Sequence, residues 1–422
     1  MRVLVLVAIF AFNIFALDAT IEIVKKIDKQ PKIVVINGGS SGVNKSIENK
    51  FFKLLIGDLK VSTHFQVKNG FVIGNYEDNL VSRDLANEGI ELAIKAKIER
   101  ESSNRLIASA KLINVQSGEL LYEKFYAISK PKRYPFLAHN IAIDINKYFG
   151  FESIEWMKRY VIFARYLSPG ESEIVVSDYT LSFKQSILKG GLNIFPKWAN
   201  QKQSEFYYTS YRSGVPTLYK INLLTGERRK IISSNGMLIC SDVSKDGTKL
   251  LLTMAPHDQP DIYLYDIKTK RKKRLTRYSG IDVGGSFVDD EKRIVFISER
   301  LGYPNIFAKN IGGGSVEQMV YHGKNNSSCS TYKNYIVYSS RESNSAFGRN
   351  TFNLYLISTK TDFIRKLTSN GKNMFPRFSE NAESVLYIKY LANQSALGIL
   401  RLNANKSFLF PLNIGRIQSI DW

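Results

Sequence analysis

The chain has 422 residues, which favours two domains because a single hydrophobic core seldom serves more than about 300 residues. Hydrophobic residues make up 44% and charged residues 23%, a composition that excludes a disordered chain. Lysine and arginine outnumber aspartate and glutamate by 59 to 38, giving a net charge of +21. This excess is dispersed, and no helix-turn-helix, zinc finger or RNA-recognition signature accompanies it, so we expect no nucleic-acid partner.

The N-terminus has the pattern of a secretory signal peptide. Arg2 is followed by a short apolar stretch at residues 3–12, and the small residue Ala16 ends the segment. We therefore assign residues 1–16 to a signal peptide. The apolar stretch is too short to span a bilayer comfortably, and no later segment reaches about 18 consecutive apolar residues. The mature chain is expected to be exported and to have no integral membrane segment.

Residues 17–150 predict a small α/β domain. Its first strands are expected in an alternating segment at residues 20–27 and in an apolar run at residues 32–36, and a helical apolar spacing follows at residues 44–59. Further elements are expected as strands at residues 71–73, 92–99, 105–115 and 120–128, and as a helix at residues 135–148.

Two motifs in this domain suggest catalysis or nucleotide binding. Residues 38–42 match G-x-S-x-G with Ser40 as the nucleophile, but only His64 and His139 follow within the domain. The same segment continues into residues 44–46, where Asn44 replaces the glycine that a phosphate-binding loop requires before its lysine. We interpret the segment as a flexible strand-to-helix loop and His139 as a structural hydrogen-bonding residue. No histidine, cysteine or carboxylate pair has metal-ligand spacing, so no cofactor is expected.

From about residue 160 a four-strand pattern repeats. A short apolar strand precedes a Phe/Tyr/Val/Ile/Leu strand that ends in Ser or Thr, and two more strands follow. The register of the short strand is marked at intervals of 44 to 46 residues by Trp198, Val243, Phe287, Tyr332, Phe378 and Trp422. Four strands at this period are typical of a β-propeller blade. We predict a six-bladed β-propeller over residues 151–422, following the small N-terminal α/β domain.

The repeat also predicts how the propeller closes. Residues 161–189 supply outer strands with no inner strand before them, and the last strand of the chain has no outer set after it. A propeller closes its ring to remove exposed strand edges. We therefore predict that the first blade receives its inner strand from the chain's C-terminal end, namely Ser419, Ile420, Asp421 and Trp422.

The two cysteines, Cys240 and Cys329, fall at the starts of the inner strands of two blades, with one full blade between them. A disulfide needs Cα atoms within about 7 Å of each other, and the intervening blade should place these two Cα atoms well beyond that distance. We therefore predict free, partly buried thiols.

The whole arrangement resembles the TolB family, the periplasmic components of the Tol–Pal system. The family's blade motif is matched by residues 243–250, then by Pro260-Asp261-Ile262-Tyr263, then by Leu275-Thr276. Residues 298–307 and 195–198 are also similar to the family's pattern. Lys245 and Asp289 depart from it, because each stands where the family usually has proline.

The resemblance implies a fold and a role. It implies a non-enzymatic scaffold that binds the peptidoglycan-associated lipoprotein Pal over one propeller mouth and engages TolA through its N-terminal region. Such a scaffold supports outer-membrane integrity and cell division, with other outer-membrane proteins as further partners, and we expect a monomer. Two alternatives stay open: a propeller-type hydrolase or lyase, although no credible triad or histidine–carboxylate cluster supports one, and a protein that binds polyanions or a surface polymer through the +21 charge.

The resemblance also implies site residues. Pal-facing positions lie in the loops before each inner strand, at Asn193, Met237, Leu238, Cys240, Asp282, Val283, Gly284, Asn326, Ser328, Asn373 and Met374. The segment implied to switch between partners consists of Leu17, Asp18, Ala19, Thr20, Ile21 and Glu22, which could equally form a plain edge strand.

Overall fold

The computed structural model describes residues 30–101, 104–342, 350–413 and 415–422. The predicted signal peptide, the switching segment at residues 17–22 and the strand expected at residues 20–27 lie outside these ranges. Across the described ranges, no helix has the length and apolar character needed to cross a membrane.

The N-terminal domain is a five-stranded sheet with helices against it. Its elements in chain order are β1 (Lys32–Ser41), α1 (Lys45–Ser62), β2 (Gln66–Ile73), α2 (Arg83–Asn87), β3 (Leu92–Arg100), β4 (Leu106–Asn114), β5 (Leu120–Ile128), a 3-10 turn (Pro131–Arg133) and α3 (Pro135–Tyr148). The strand order is β2-β1-β3-β4-β5, and β1 runs parallel to both of its neighbours.

The central strand β1 is covered on both faces. Ile33 and Val35 join the core formed with α1 and α3, whereas Val34 and Ile36 join a smaller cluster that contains Leu85 of α2. A parallel strand buried on both sides is expected to be continuously apolar, which is why residues 33–36 show no alternation.

The expectation of a flexible loop after β1 is wrong, because residues 38–41 continue the strand. Ser40 pairs with Ile98 of β3, and its hydroxyl donates a 2.7 Å hydrogen bond to the Glu48 carboxylate. A Cβ atom at Gly38 would lie 2.7 Å from the Cβ of Tyr76, so this glycine allows close packing. The Ser40 hydroxyl therefore has a structural role.

The connection from β1 to α1 is correspondingly short, at residues 42–44. Asn44 caps the helix by accepting a 2.9 Å hydrogen bond from the Ile47 N–H. An N-cap asparagine satisfies one of the helix's unpaired amide groups. Asn44 therefore caps a helix, and its position before Lys45 does not indicate a phosphate-binding loop.

The second part of the chain is a β-propeller built from four-stranded antiparallel units. In chain order the first eleven strands are β6 (Val161–Ser168), β7 (Glu171–Ser177), β8 (Lys184–Lys189), β9 (Asn193–Trp198), β10 (Glu205–Ser210), β11 (Thr217–Asn222), β12 (Arg228–Ser233), β13 (Leu238–Val243), β14 (Lys249–Met254), β15 (Asp261–Asp266) and β16 (Lys272–Arg274). A 3-10 turn (Glu155–Lys158) precedes β6.

The remaining strands are β17 (Asp282–Val288), β18 (Arg293–Ser298), β19 (Asn305–Asn310), β20 (Val316–Gln318), β21 (Lys324–Tyr332), β22 (Tyr335–Glu342), β23 (Thr351–Ser358), β24 (Ile364–Lys366), β25 (Lys372–Phe378), β26 (Ser384–Tyr390), β27 (Ser395–Arg401), β28 (Lys406–Pro411) and β29 (Ile417–Asp421). The units β21–β24 and β25–β28 form one sheet, joined by a single parallel pairing of Phe352 with Lys372. The number of blades stays a prediction, and dividing the sheet at this pairing supports six.

The C-terminal strand β29 lies against β6, the first propeller strand. Ser419 pairs with Ala164 and Ile420 with Phe163, in antiparallel register. Trp422 follows the strand and packs edge-on against Trp156, with ring centroids 5.3 Å apart. The sheet β29-β6-β7-β8 therefore combines the two ends of the propeller sequence.

Neighbouring units are joined by the Ser and Thr residues that end the second strand of the repeat. The Thr209 hydroxyl donates a 2.7 Å hydrogen bond to the Leu238 carbonyl of the next unit, and the Ser339 hydroxyl donates an equivalent 2.7 Å bond to the Asn373 carbonyl. All four residues are buried. A buried carbonyl needs such a partner, so these bonds help to fix one sheet against the next.

The two domains meet around the buried residue His139 of α3. Its Nδ1 lies 2.8 Å from Asp58 of α1, and its Nε2 lies 3.3 Å from Asp178 of the turn after β7. Tyr179 of the same turn donates its hydroxyl to Asp58. These four side chains are almost completely inaccessible to solvent, which confirms a structural, hydrogen-bonding role for His139.

Candidate functional site

A cavity of about 290 Å³ lies where the six inner strands converge. Each of the strands β9, β13, β17, β21, β25 and β29 contributes to its wall, for example through Phe195, Cys240, Gly284, Ser328, Phe375 and Ser419. The cavity is therefore a property of the assembled ring and not of any single blade.

The inner strands bend at equivalent points. Each has an irregular register with its neighbouring strand, as a β-bulge produces. Phe195, Ser328 and Phe375 adopt left-handed backbone angles there, with φ of 53°, 47° and 54°, and Gly284 has φ of 67°. A bulge re-aims the side chains of a strand, and the left-handed region is unfavourable for a bulky residue such as Phe. The strain is located at the cavity wall, where binding sites commonly hold it.

Two cations and two carboxylates form a chain of ion pairs at the cavity. The Lys197 ammonium lies 3.0 Å from Asp421 and 3.3 Å from Asp242, and the Arg377 guanidinium lies 3.5 Å from Asp421. Asp421 also accepts a 2.8 Å hydrogen bond from the Trp198 N–H. Burial lowers the pKa of Lys197, but Asp421 and Asp242 raise it by more, so its net pKa lies above the usual value and Lys197 is charged at neutral pH.

The sequence analysis named Asp421 only as a ring-closing residue and missed the ion pairs, because the four charged residues lie far apart along the chain. A signal was nevertheless present, since Lys197, Asp242, Arg377 and Asp421 each come one residue before a marker of the 44–46-residue repeat. Equivalent positions of successive blades converge on the propeller axis, so opposite charges at one repeat position predict ion pairs between blades.

The cysteines are free, as predicted, and both are buried at the cavity wall. Burial raises the pKa of the Cys329 thiol to about 12 and that of Cys240 further still. A thiol must ionise to act as a nucleophile or metal ligand. Both residues therefore act as small apolar wall residues at neutral pH.

Only some of the predicted Pal-facing residues line the cavity. Cys240, Val283, Gly284, Ser328 and Met374 line the cavity. Met237 lies outside it with 41% of its surface exposed, whereas Leu238 is fully buried in the core between blades.

Four of the predicted polar residues, Asn193, Asp282, Asn326 and Asn373, are almost fully buried, and each makes at least one hydrogen bond within the protein. Both Asp282 carboxylate oxygens accept 3.0 Å bonds from Arg300. The Asn373 amide donates a 2.8 Å bond to the carbonyl of Asn370 in the preceding loop. These residues hold the loops in shape and present little surface to a partner.

The other histidines have no catalytic arrangement around them. His322 lies against Tyr338, whose hydroxyl is 2.9 Å from the imidazole Nε2, and burial lowers the pKa of His322. The His64 Nδ1 is 2.5 Å from the Asn146 amide oxygen. Within the described ranges, no group of three or more His, Cys, Asp or Glu side chains could hold a metal ion.

Comparison with known proteins places the chain in a family. Residues 19–121 match the model of the TolB amino-terminal domain, and residues 159–422 match the model of the TolB beta propeller domain. Proteins named Tol-Pal system protein TolB from Wolinella succinogenes and Campylobacter jejuni are 51% and 44% identical, each over the full length of both chains. The same named protein from Helicobacter pylori is 42% identical over the full length of both chains.

The solved structure of TolB from Acinetobacter baumannii has the same fold. It superimposes with a TM-score of 0.75 at 21% identity and covers 93% of this chain and 96% of its own. Two domain models that together span most of the sequence, and full-length relatives at 42–51% identity, agree with this fold. The chain belongs to the TolB family of Tol–Pal system proteins.

Proposed function

We propose that this chain is a periplasmic scaffold of the Tol–Pal system that binds Pal over the mouth of the central cavity and TolA through its N-terminal region. The family to which it belongs is non-catalytic. Membership of that family supports a role in the system, and the predicted signal peptide supports export. The segment proposed to switch between partners, residues 17–22, lies outside the described residues, and the resemblance to the family supports that part of the proposal.

The observation that carries the Pal proposal is the cavity wall shared by all six inner strands. A site of this kind exists only in the closed ring and presents strained backbone at several blades around one axis. At about 290 Å³ the cavity lies just below the usual range for ligand pockets, about 300–1,000 Å³, and suits a side chain or loop tip of a partner protein.

The chemistry around the mouth suits a protein loop. Met374 and Val283 give apolar surface at the wall, and Met237 adds an exposed thioether outside it. Ser327 and Ser328 supply hydroxyl groups, and the Ser328 Oγ is buried and has no hydrogen-bond partner within the described part of the chain. Apolar anchors beside a few polar groups are typical of the centre of a protein–protein interface.

Charged substitutions at the mouth should weaken Pal binding. Met237→Asp and Met374→Asp each place a carboxylate where we expect an apolar contact, so we expect affinity for purified Pal to fall by about 10-fold or more. Isothermal titration calorimetry with the mature protein measures this loss. Met237 is partly exposed, so its substitution should not disturb folding.

The matched control is Leu224→Asp, because Leu224 is 94% exposed in the hairpin between β11 and β12. In an antiparallel four-stranded unit, that hairpin lies at the end opposite the start of the inner strand. Wild-type affinity in this variant, together with weak binding in the two mouth variants, supports the proposal. Equal affinity in all four proteins would refute binding over this mouth.

A further inference from the structure

A second cavity lies at the junction of the two domains, away from the propeller axis. Its volume is about 560 Å³, larger than that of the central cavity. The 3-10 turn Pro131–Arg133 of the N-terminal domain forms one wall, and strand β8 of the propeller forms the other. A ligand bound here would contact both domains.

The junction cavity is lined by cations. Lys130, Lys132 and Arg133 lie on the N-terminal side, and Lys184 lies on the propeller side. Of the described residues that form its wall, none has a carboxylate. Two carboxylates lie behind the wall and already have partners. Asp178 accepts hydrogen bonds from backbone amides of its own turn and contacts His139, and Glu173, which is hydrogen-bonded to Ser186, is paired with Arg165 and Lys189.

Arg133 is held against aromatic rings and has one buried nitrogen, Nε, without a partner. Its guanidinium stacks over the ring of Phe136 at 5.1 Å and over the ring of Tyr160 at 5.7 Å. Its Nε is buried, and no group in the described ranges accepts a hydrogen bond from it. Buried donors are nearly always paired in folded proteins, so an unpaired guanidinium nitrogen beside a cavity indicates a missing acceptor. The stacking fixes the planar fork in advance, as anion recognition requires.

Lys184 lines the same cavity, and its partial burial disfavours the charged form of its ammonium group. Burial lowers its pKa below the ordinary value, although Asp178 partly opposes that effect. Its ammonium donates to the carbonyl of Leu181. A doubly charged anion between Lys184 and Arg133 would stabilise the buried Lys184 charge and give the Arg133 Nε the acceptor that it lacks.

The remaining wall residues suit the organic part of a ligand. Phe183, Val176 and Leu223 supply apolar surface, and Gln185 and Ser186 supply polar groups. The volume lies in the range of small-molecule pockets and is larger than one inorganic oxyanion needs. A phosphate group offers more acceptor oxygens and more charge than a single carboxylate, which matches cations converging from two sides.

We propose that the junction cavity binds a phosphate ester, with its phosphate between Arg133 and Lys184 and its organic part against Phe183 and Leu223. This inference does not depend on Pal binding. The phosphate could belong to a soluble ester or to a phospholipid headgroup. In either case the ligand binds the docked pair of domains and stabilises their arrangement.

Titration of the mature protein with sn-glycerol 3-phosphate, and sedimentation with vesicles that contain phosphatidylglycerol, test the site and distinguish the two sources. Arg133→Lys keeps the charge but loses the planar fork, so we expect about 10-fold weaker binding. Lys132→Gln removes an exposed cation of the wall and should weaken binding with little effect on folding. Lys270→Gln is the control for Lys132→Gln, because it removes the same charge from an exposed residue between β15 and β16.

Binding of glycerol phosphate supports a soluble ester, and binding to vesicles alone supports a lipid headgroup. Both results support the proposal if Arg133→Lys and Lys132→Gln weaken binding and Lys270→Gln does not. Absence of binding to either probe would overturn it. It would also be overturned by equal losses of affinity in Lys132→Gln and Lys270→Gln, or by preferred binding of a poly-glutamate peptide.

Discussion

Removal of residues 419–422 is expected to destabilise the propeller by about 5 kcal/mol or more. The deletion removes the backbone pairing with Ala164 and Phe163, the buried Ile420 and the ion pairs of Asp421. It also exposes the inner edge of β6 and removes Trp422 from its contact with Trp156. Differential scanning calorimetry and urea denaturation of the full-length and truncated mature proteins measure the change.

A single substitution separates the ion pairs from the strand itself. Asp421→Asn should cost about 3 kcal/mol, because it leaves Lys197 and Arg377 without their shared carboxylate at a mostly buried position. Asp290→Asn is the matched control, since its side chain is 78% exposed and we expect a change within about 0.5 kcal/mol. A truncated protein as stable as the full-length one would show that β29 does not close the ring.

Stability at the domain junction is expected to fall as the pH rises through about 9. Burial lowers the pKa of His139, but Asp58 and Asp178 together raise it by more, to about 9 from an ordinary value of 6.5. A histidine whose pKa is higher in the folded than in the unfolded protein stabilises the fold when it is protonated. This stabilisation is fully present below about pH 6.5 and is lost as the pH rises through the folded-state pKa. A difference of this size corresponds to about 3 kcal/mol.

Urea denaturation between pH 6 and pH 10 measures this loss. His139→Gln should be less stable at pH 6, and the part of the pH dependence due to this residue should disappear. His257→Gln is the control, because His257 is exposed and lies in a propeller loop. If His139→Gln keeps the pH profile of the wild-type protein, the imidazole is not the group that titrates.

The sequence predicted the helices and strands that are determined by nearby residues or by the blade repeat. The helix at residues 135–148 agrees with α3, because Pro135 begins it and Gly150 follows its end. The repeat of 44–46 residues predicted the inner strands, because each blade must place an equivalent strand at the axis. The placement of β29 beside β6 follows from the same count.

What the sequence did not reveal depends on contacts between distant segments. The extension of β1 through Ser40 depends on pairing with β3 and on the Glu48 carboxylate of α1, which no local pattern indicates. The burial of Asn373 and Asp282 depends on loops and strands that fold over them. The junction cavity requires the docked domains, so composition alone could show only that basic residues were in excess.

Amide hydrogen exchange of the mature protein, alone and saturated with Pal, tests binding at the central mouth most directly. We expect slower exchange in the complex at residues 193–196, 282–285 and 372–376, which begin three of the inner strands around the cavity. Exchange in the hairpin at residues 222–227 should not change. Protection confined to the N-terminal sheet, with no change at the starts of the inner strands, would contradict binding over this mouth.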